Sequence, residues 1–197
     1  MNMDSVLVIG FGYNQWHTKV EEWFDVSTQV YTIDFEQLEK QQEATHIASQ
    51  VDRILVFICS PENYIASALP KQSGDVLDNL KSLSGSWNQQ GQKLLQLTLQ
   101  HRQKTTVISE ELALSLSGEQ LTEFNVDCSQ SSVELAELFD RDPLVTHKLI
   151  ASAYLGEDHV NQCDYEELLA LSHFKSNPES YRSRLLDLLT DVFVRKT

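Results

Sequence analysis

Basic residues are scarce in this chain of 197 residues: 15 Lys and Arg stand against 29 Asp and Glu, for a formal net charge of −14. The acidic side chains are spread along the chain rather than gathered in a tail. Such a surface repels phosphate backbones and anionic lipid, which disfavours nucleic acid and membrane as bulk partners but leaves room for a locally basic pocket. Cysteine is scarce too. Cys59, Cys128 and Cys163 are odd in number and far apart, which argues against a disulfide framework and against a zinc knuckle. The histidines are scattered and form no HxxxH pair, so no metal is expected. No apolar run approaches the roughly 18 residues of a membrane-spanning helix. The opening MNMDSVLVIGFGYN shows neither a basic leader nor a small-residue cleavage site, and a cytoplasmic location is expected.

What the chain does have is a 41% hydrophobic content, enough for one compact α/β domain with a real core. Its centre is Arg53–Leu69, RILVFICSPENYIASAL. Ile54 to Ile58 is apolar throughout, the pattern of a strand covered on both faces, as in parallel sheets. Ser60 then suits an N-cap, Pro61 the first helical position and Glu62 the positive end of the helix dipole. The sequence therefore predicts a strand, a sharp turn and a helix. In open α/β sheets, ligands bind at the carboxyl ends of such strands.

Strands are also predicted at Ser5–Ile9, Gln29–Ile33 and Thr105–Ser109, with a short fifth at Phe124–Cys128. Between them, Tyr13–Phe24 and Phe35–Gln50 read as helices, Lys71–Asp75 as a loop and Glu111–Gln120 as a small helix or turn. From Val76 to His101 the apolar positions keep helical spacing. Gly85 and Gly91 each cost about 1 kcal/mol relative to alanine, which predicts two helices or one kinked helix. Capping boxes at Ser131/Glu134 and Asp164/Glu167, with the cap-then-proline pairs Asp142-Pro143 and Asn177-Pro178, predict helices over 131–140, 143–155, 164–173 and 178–195. The expected architecture is a three-layer α/β fold with a mostly parallel sheet of about five strands over 1–140, and a C-terminal helical segment over 141–197 packed on it.

Three phosphate-binding signatures can be tested on Gly10–Thr18, GFGYNQWHT. A Walker loop requires a second glycine at fixed spacing and a lysine, and this stretch has neither. A dinucleotide fingerprint fits at Gly10 and Gly12, with Asp34 closing the second strand where a ribose-binding acid belongs, but Gln15 and Trp16 stand where the third glycine should. The third comparison covers roughly residues 5–140. A strand followed by a glycine-bearing loop, the turn Cys59-Ser60-Pro61 with Ser67 behind it, Gly85-Ser86-Trp87 opening a long helix, and the strand end Val107-Ile108-Ser109-Glu110-Glu111-Leu112 together resemble the sulfotransferase family.

That resemblance implies a P-loop-like core and a site for the donor 3′-phosphoadenosine 5′-phosphosulfate, with contacts from Gly10, Gly12, Asn14, Ser60 and Ser67. His17 is the candidate general base, since imidazole titrates near working pH. The family's cationic loop is replaced by Tyr13, Asn14, Gln15, Trp16 and His17, and its 3′-phosphate arginine by Cys59. Charge-assisted hydrogen bonds worth about 1.5–3 kcal/mol each are lost with those cations. A degenerate, non-catalytic sulfotransferase-like protein of bacterial surface polysaccharide biosynthesis is what the resemblance implies, with a glycan-related substrate. Two other expectations stand beside it. One is an active sulfo- or nucleotide-dependent transferase whose backbone amides bind phosphate at the Gly10 and Ser60 turns. The other is an interaction module that uses its acidic surface, or the apolar stripe Tyr181, Leu185, Leu188, Leu189 and Val192 of the 178–195 helix, to hold a protein partner or a second copy. Cys59, at a helix start, could be an activated thiol or a buried inert one.

Overall fold

The computed structural model describes residues 4–10, 24, 26–35, 38, 41–109, 145–156 and 159–171. Four strands, β1 (Ser5–Gly10), β2 (Gln29–Asp34), β3 (Arg53–Ile58) and β4 (Thr105–Ser109), pair in parallel in the order β2-β1-β3-β4. The chain is thus α/β with an all-parallel sheet. The predicted fifth strand at Phe124–Cys128 lies outside the described residues, as do the helices expected over 131–140 and 178–195, the element at Glu111–Gln120 and nearly all of Tyr13–Phe24.

Register shows why the strands are so apolar. One face carries Leu7 and Ile9, Ile33, Ile54, Val56 and Ile58, and Val107, all in one continuous core. The alternate positions Val6, Val8, Leu55, Phe57 and Ile108 are buried as deeply without joining that core. Both faces of the sheet are therefore covered, and a strand buried on both sides has no polar position to spare.

The first face is packed by α1 (Gln41–Gln50), α2 (Pro61–Ala68), α3 (Val76–Gln100), α4 (Val145–Leu155) and α5 (His159–Ala170). Ala44 and Ala48 of α1 and Val51 behind it lie flat on the core, because small side chains let the helix come close. α1 begins at Gln41, later than the helix predicted from Phe35. α4 docks on α2, and α5 on α3 and β4, so this part of the C-terminal segment belongs to the same core. No helix among the described residues is long and apolar enough to cross a membrane.

Of the two expectations for 76–101, two separate helices are excluded: α3 is one helix of 25 residues that runs through both glycines. Leu80, Leu83, Trp87, Leu94 and Leu97 are all buried along its length. Each such side chain contributes about 1.5–3 kcal/mol, which outweighs the propensity cost of the glycines. Gly91 has a packing reason as well: a Cβ there would lie 3.1 Å from the Trp87 ring. Gly85-Ser86-Trp87 consequently sits inside the helix rather than opening it. The helix opens instead at Asp75, whose carboxylate accepts from the backbone N–H groups of Leu77 (2.8 Å) and Asp78 (3.3 Å). Gly74 before it holds φ at 107°, a conformation that favours glycine. α5 likewise starts at His159, which places the Asp164/Glu167 pair within the helix rather than at its cap.

α3 is about 37 Å long at 1.5 Å per residue, against about 20 Å for a six-residue strand. Its end meets the start of β4, where the Thr105 hydroxyl donates to the His101 carbonyl (2.9 Å). Trp87 meets Phe35, just beyond the end of β2. The turns before Trp87 therefore extend past the carboxyl edge of the sheet, and residues 70–78 are all exposed.

Candidate functional site

From β1 the chain passes to β2 on one side and then to β3 on the other, so the strand order reverses between β1 and β3. In sheets of this kind the connections diverge at the reversal and leave a crevice at the carboxyl ends, where ligands bind. β1 ends at Gly10, which is buried and has no Cβ to obstruct a close approach. Its neighbour β3 pairs with it through Ile9 and Val56 and continues into Cys59 and Ser60. On the other side the β1–β2 ladder closes on the pair Gly10 and Asp34.

The turn after β3 is built as its sequence predicts. Ser60 is extended (φ −62°, ψ 152°), its hydroxyl accepts from the Asn63 N–H (3.2 Å), Pro61 follows and Glu62 lies in the first turn. The Ser60 side chain is 4% exposed and engaged in capping. Cys59, 1% exposed, is buried and forms no disulfide, which fits the inert-thiol expectation, since a nucleophile needs access. Ser67 lies almost two turns along α2, half-buried. The structure therefore brings Gly10, Asp34, Cys59 and Ser60 to one edge. Gly12, Asn14 and His17 lie outside the described residues.

Two features here have no local signal in the sequence. Phe35, Tyr64, Trp87 and Tyr165, from four separate elements, form a buried aromatic group on the first face of the sheet near its carboxyl edge. Ring centroids lie 6.1 Å apart for Phe35–Tyr64, 6.3 Å for Phe35–Trp87 and 6.1 Å for Trp87–Tyr165. The first and third of these pairs meet edge to face, an arrangement that adds about 0.5–1.5 kcal/mol beyond the buried area. The second feature is the hydrogen bond from Ser152 of α4 to a Glu62 carboxylate oxygen (2.7 Å), which ties the C-terminal segment to the first turn of α2.

At the carboxyl edge Asp34 closes β2 and Glu62 lies in the first turn of α2, and the exposed Lys71 and Lys81 flank the start of α3 beyond that edge, whereas Arg53, Arg102 and Lys104 stand at the amino edge. No group of His, Cys, Asp and Glu suited to a metal ion occurs among the described residues.

No protein-family model matches the chain, and no curated protein or solved structure is significantly similar to it.

Proposed function

We propose that this chain is a sulfotransferase-like binding protein without sulfonate transfer of its own, which holds a small ligand in the crevice at the carboxyl ends of β1 and β3. The observation that carries the reading is the adjacency of the glycine that ends β1 and the Cys59-Ser60-Pro61 turn that ends β3, at the reversal of strand order. The absence of transfer follows from the replaced cations: Cys59 stands where the family has its 3′-phosphate arginine, and no lysine lies in Gly10–Thr18. A role in bacterial surface polysaccharide assembly is what the family resemblance adds.

A thermal-shift titration with ATP, NAD and 3′-phosphoadenosine 5′-phosphate tests the binding claim, because a ligand of the native state stabilises it by RT ln(1 + [L]/Kd), about 2.7 kcal/mol at 100 Kd. A rise in Tm with at least one nucleotide is expected, unaltered by Ser67→Ala, together with no sulfonate transfer from the phosphosulfate donor. No shift with any of them would remove the nucleotide seat. Measurable transfer would make the chain an enzyme instead.

A further inference from the structure

We propose that the outer face of α3 is where two copies of this chain pair, antiparallel, across a two-fold axis at Gln92. This surface is separate from the ligand seat and does not depend on it. Charge is the first observation. Residues 79–109 hold none of the 29 Asp and Glu, but four of the 15 Lys and Arg: Lys81, Lys93, Arg102 and Lys104. A chain of net charge −14 repels its own copies over most of its surface, so a face without carboxylates is where two of them can meet. Lys81, Gly85, Gln92, Gln96 and Leu99 recur along α3 at helical spacing, and all are exposed.

Gly85 and Leu99 are the second observation, because neither is explained within one chain. The glycine with positive φ is Gly74, and a Cβ at Gly85 would meet nothing within 4 Å, so neither backbone nor packing requires a glycine there. It costs helix propensity without return. Leu99 is 53% exposed on the same side of the helix. Gly85, Gln92 and Leu99 are each seven residues apart, the spacing that keeps residues on one seam between paired helices. In an antiparallel pair centred on Gln92, Leu99 of one copy meets the partner's Gly85, where the missing side chain leaves room for it. The same happens again on the other side of the axis, as two-fold symmetry demands. Lys81 then faces the partner's Gln103, whose amide oxygen accepts from the ammonium. At the axis the two Gln92 amides face each other, each with an N–H for the other's carbonyl oxygen. A single polar pair on an otherwise permissive seam fixes its register.

The test is sedimentation velocity on the full chain over a range of concentrations, with Tm measured on the same samples. A reversible dimer is expected. Gln92→Glu, exposed and nearly neutral for helix propensity, sets two carboxylates against each other at the axis and should weaken pairing at least about tenfold. Gly85→Gln should raise Tm, since glutamine is the better helix former and the site has room for it, and yet weaken pairing as much, because it fills the gap that Leu99 enters. A face that meets only water would give the rise in Tm alone. A strict monomer at hundred-micromolar concentration would overturn the pairing and leave the face to a partner of another kind. A dimer that both substitutions leave intact would overturn it too, by placing the contact elsewhere.

Discussion

The two edges of the sheet are built from different materials. At the amino edge several polar groups are fastened to one another: Asp4 pairs with Arg53, the Ser5 N–H and hydroxyl both donate to Asp52 (3.0 and 2.8 Å), and Lys104 donates to the Val51 carbonyl (2.6 Å). The Ser5 hydroxyl in turn accepts from the Asp52 N–H (3.1 Å), so the corner that leads into β3 is closed on the start of β1. At the carboxyl edge the strands end in Gly10, Asp34, Ile58 and Ser109, and the order of strands reverses. The difference teaches that the amino edge is closed by side chains that tie β1 to the corner before β3, while the carboxyl edge is set by the reversal of strand order and the capped turn that follows β3.

Three substitutions sharpen that contrast. Trp87→Ala should have the largest effect, because the side chain is fully buried and touches both Phe35 and Tyr165. A loss of about 3–5 kcal/mol is expected. At about 2–4 °C per kcal/mol for a chain of this size, Tm should fall on the order of 10 °C. A fall of less than about 3 °C would show that the aromatic group is not what packs this edge. Ser60→Ala removes the cap of α2 and should cost about 1 kcal/mol, read from denaturant midpoints. If it abolished ligand binding with no loss of stability, Ser60 would be a ligand group rather than a cap.

The smallest effect belongs to the amino edge and is read from how stability falls off in acid. The Ser5 side-chain hydrogen bond, followed by the Ser5 backbone N–H, holds the Asp52 carboxyl below its ordinary value of 3.8. A carboxyl lowered by folding contributes stability that is present above about pH 3.8 and is lost as pH falls through the folded value. Ser5→Ala should reduce that contribution, lowering stability at neutral pH slightly and flattening its pH dependence below about pH 4. An unchanged acid profile would mean that Ser5 and Asp52 are not fastened in solution. His101 acts in the same direction at higher pH. Burial, then the charge of Lys104, lowers its pKa from 6.5. Below about pH 6.5 the unfolded chain therefore takes up the proton first, and stability declines as pH falls.

Much of the fold is legible in the sequence because its signals are local. β4 and the capped start of α2 follow from a run of apolar residues and from Ser60-Pro61-Glu62, and β1, β2 and β3 lie within one residue of their predicted ends. The sequence leaves open whether α3 is one helix or two, since the propensity cost of Gly85 and Gly91 is local whereas the burial that offsets it comes from the sheet and α5. The two glycines also differ in a way that composition hides: a Cβ at Gly85 would meet nothing within 4 Å, and one at Gly91 would press on Trp87. For the site, the sequence indicates the edge and names Gly10, Ser60 and Asp34. It does not give the strand order, which decides that Asp34 stands beside Gly10. Nor does it foretell the meeting of residues 35, 64, 87 and 165, for no periodicity links positions so far apart.

The most direct test of the account is amide hydrogen exchange on the full chain with and without saturating NAD, read peptide by peptide. Protection should rise at the carboxyl ends, in residues 8–10, 32–35 and 57–63, and remain unchanged at the amino edge, in residues 4–6, 51–54 and 101–105. Protection at the amino edge alone, or no change anywhere, would contradict the claim that the crevice between β1 and β3 is where this protein binds its ligand.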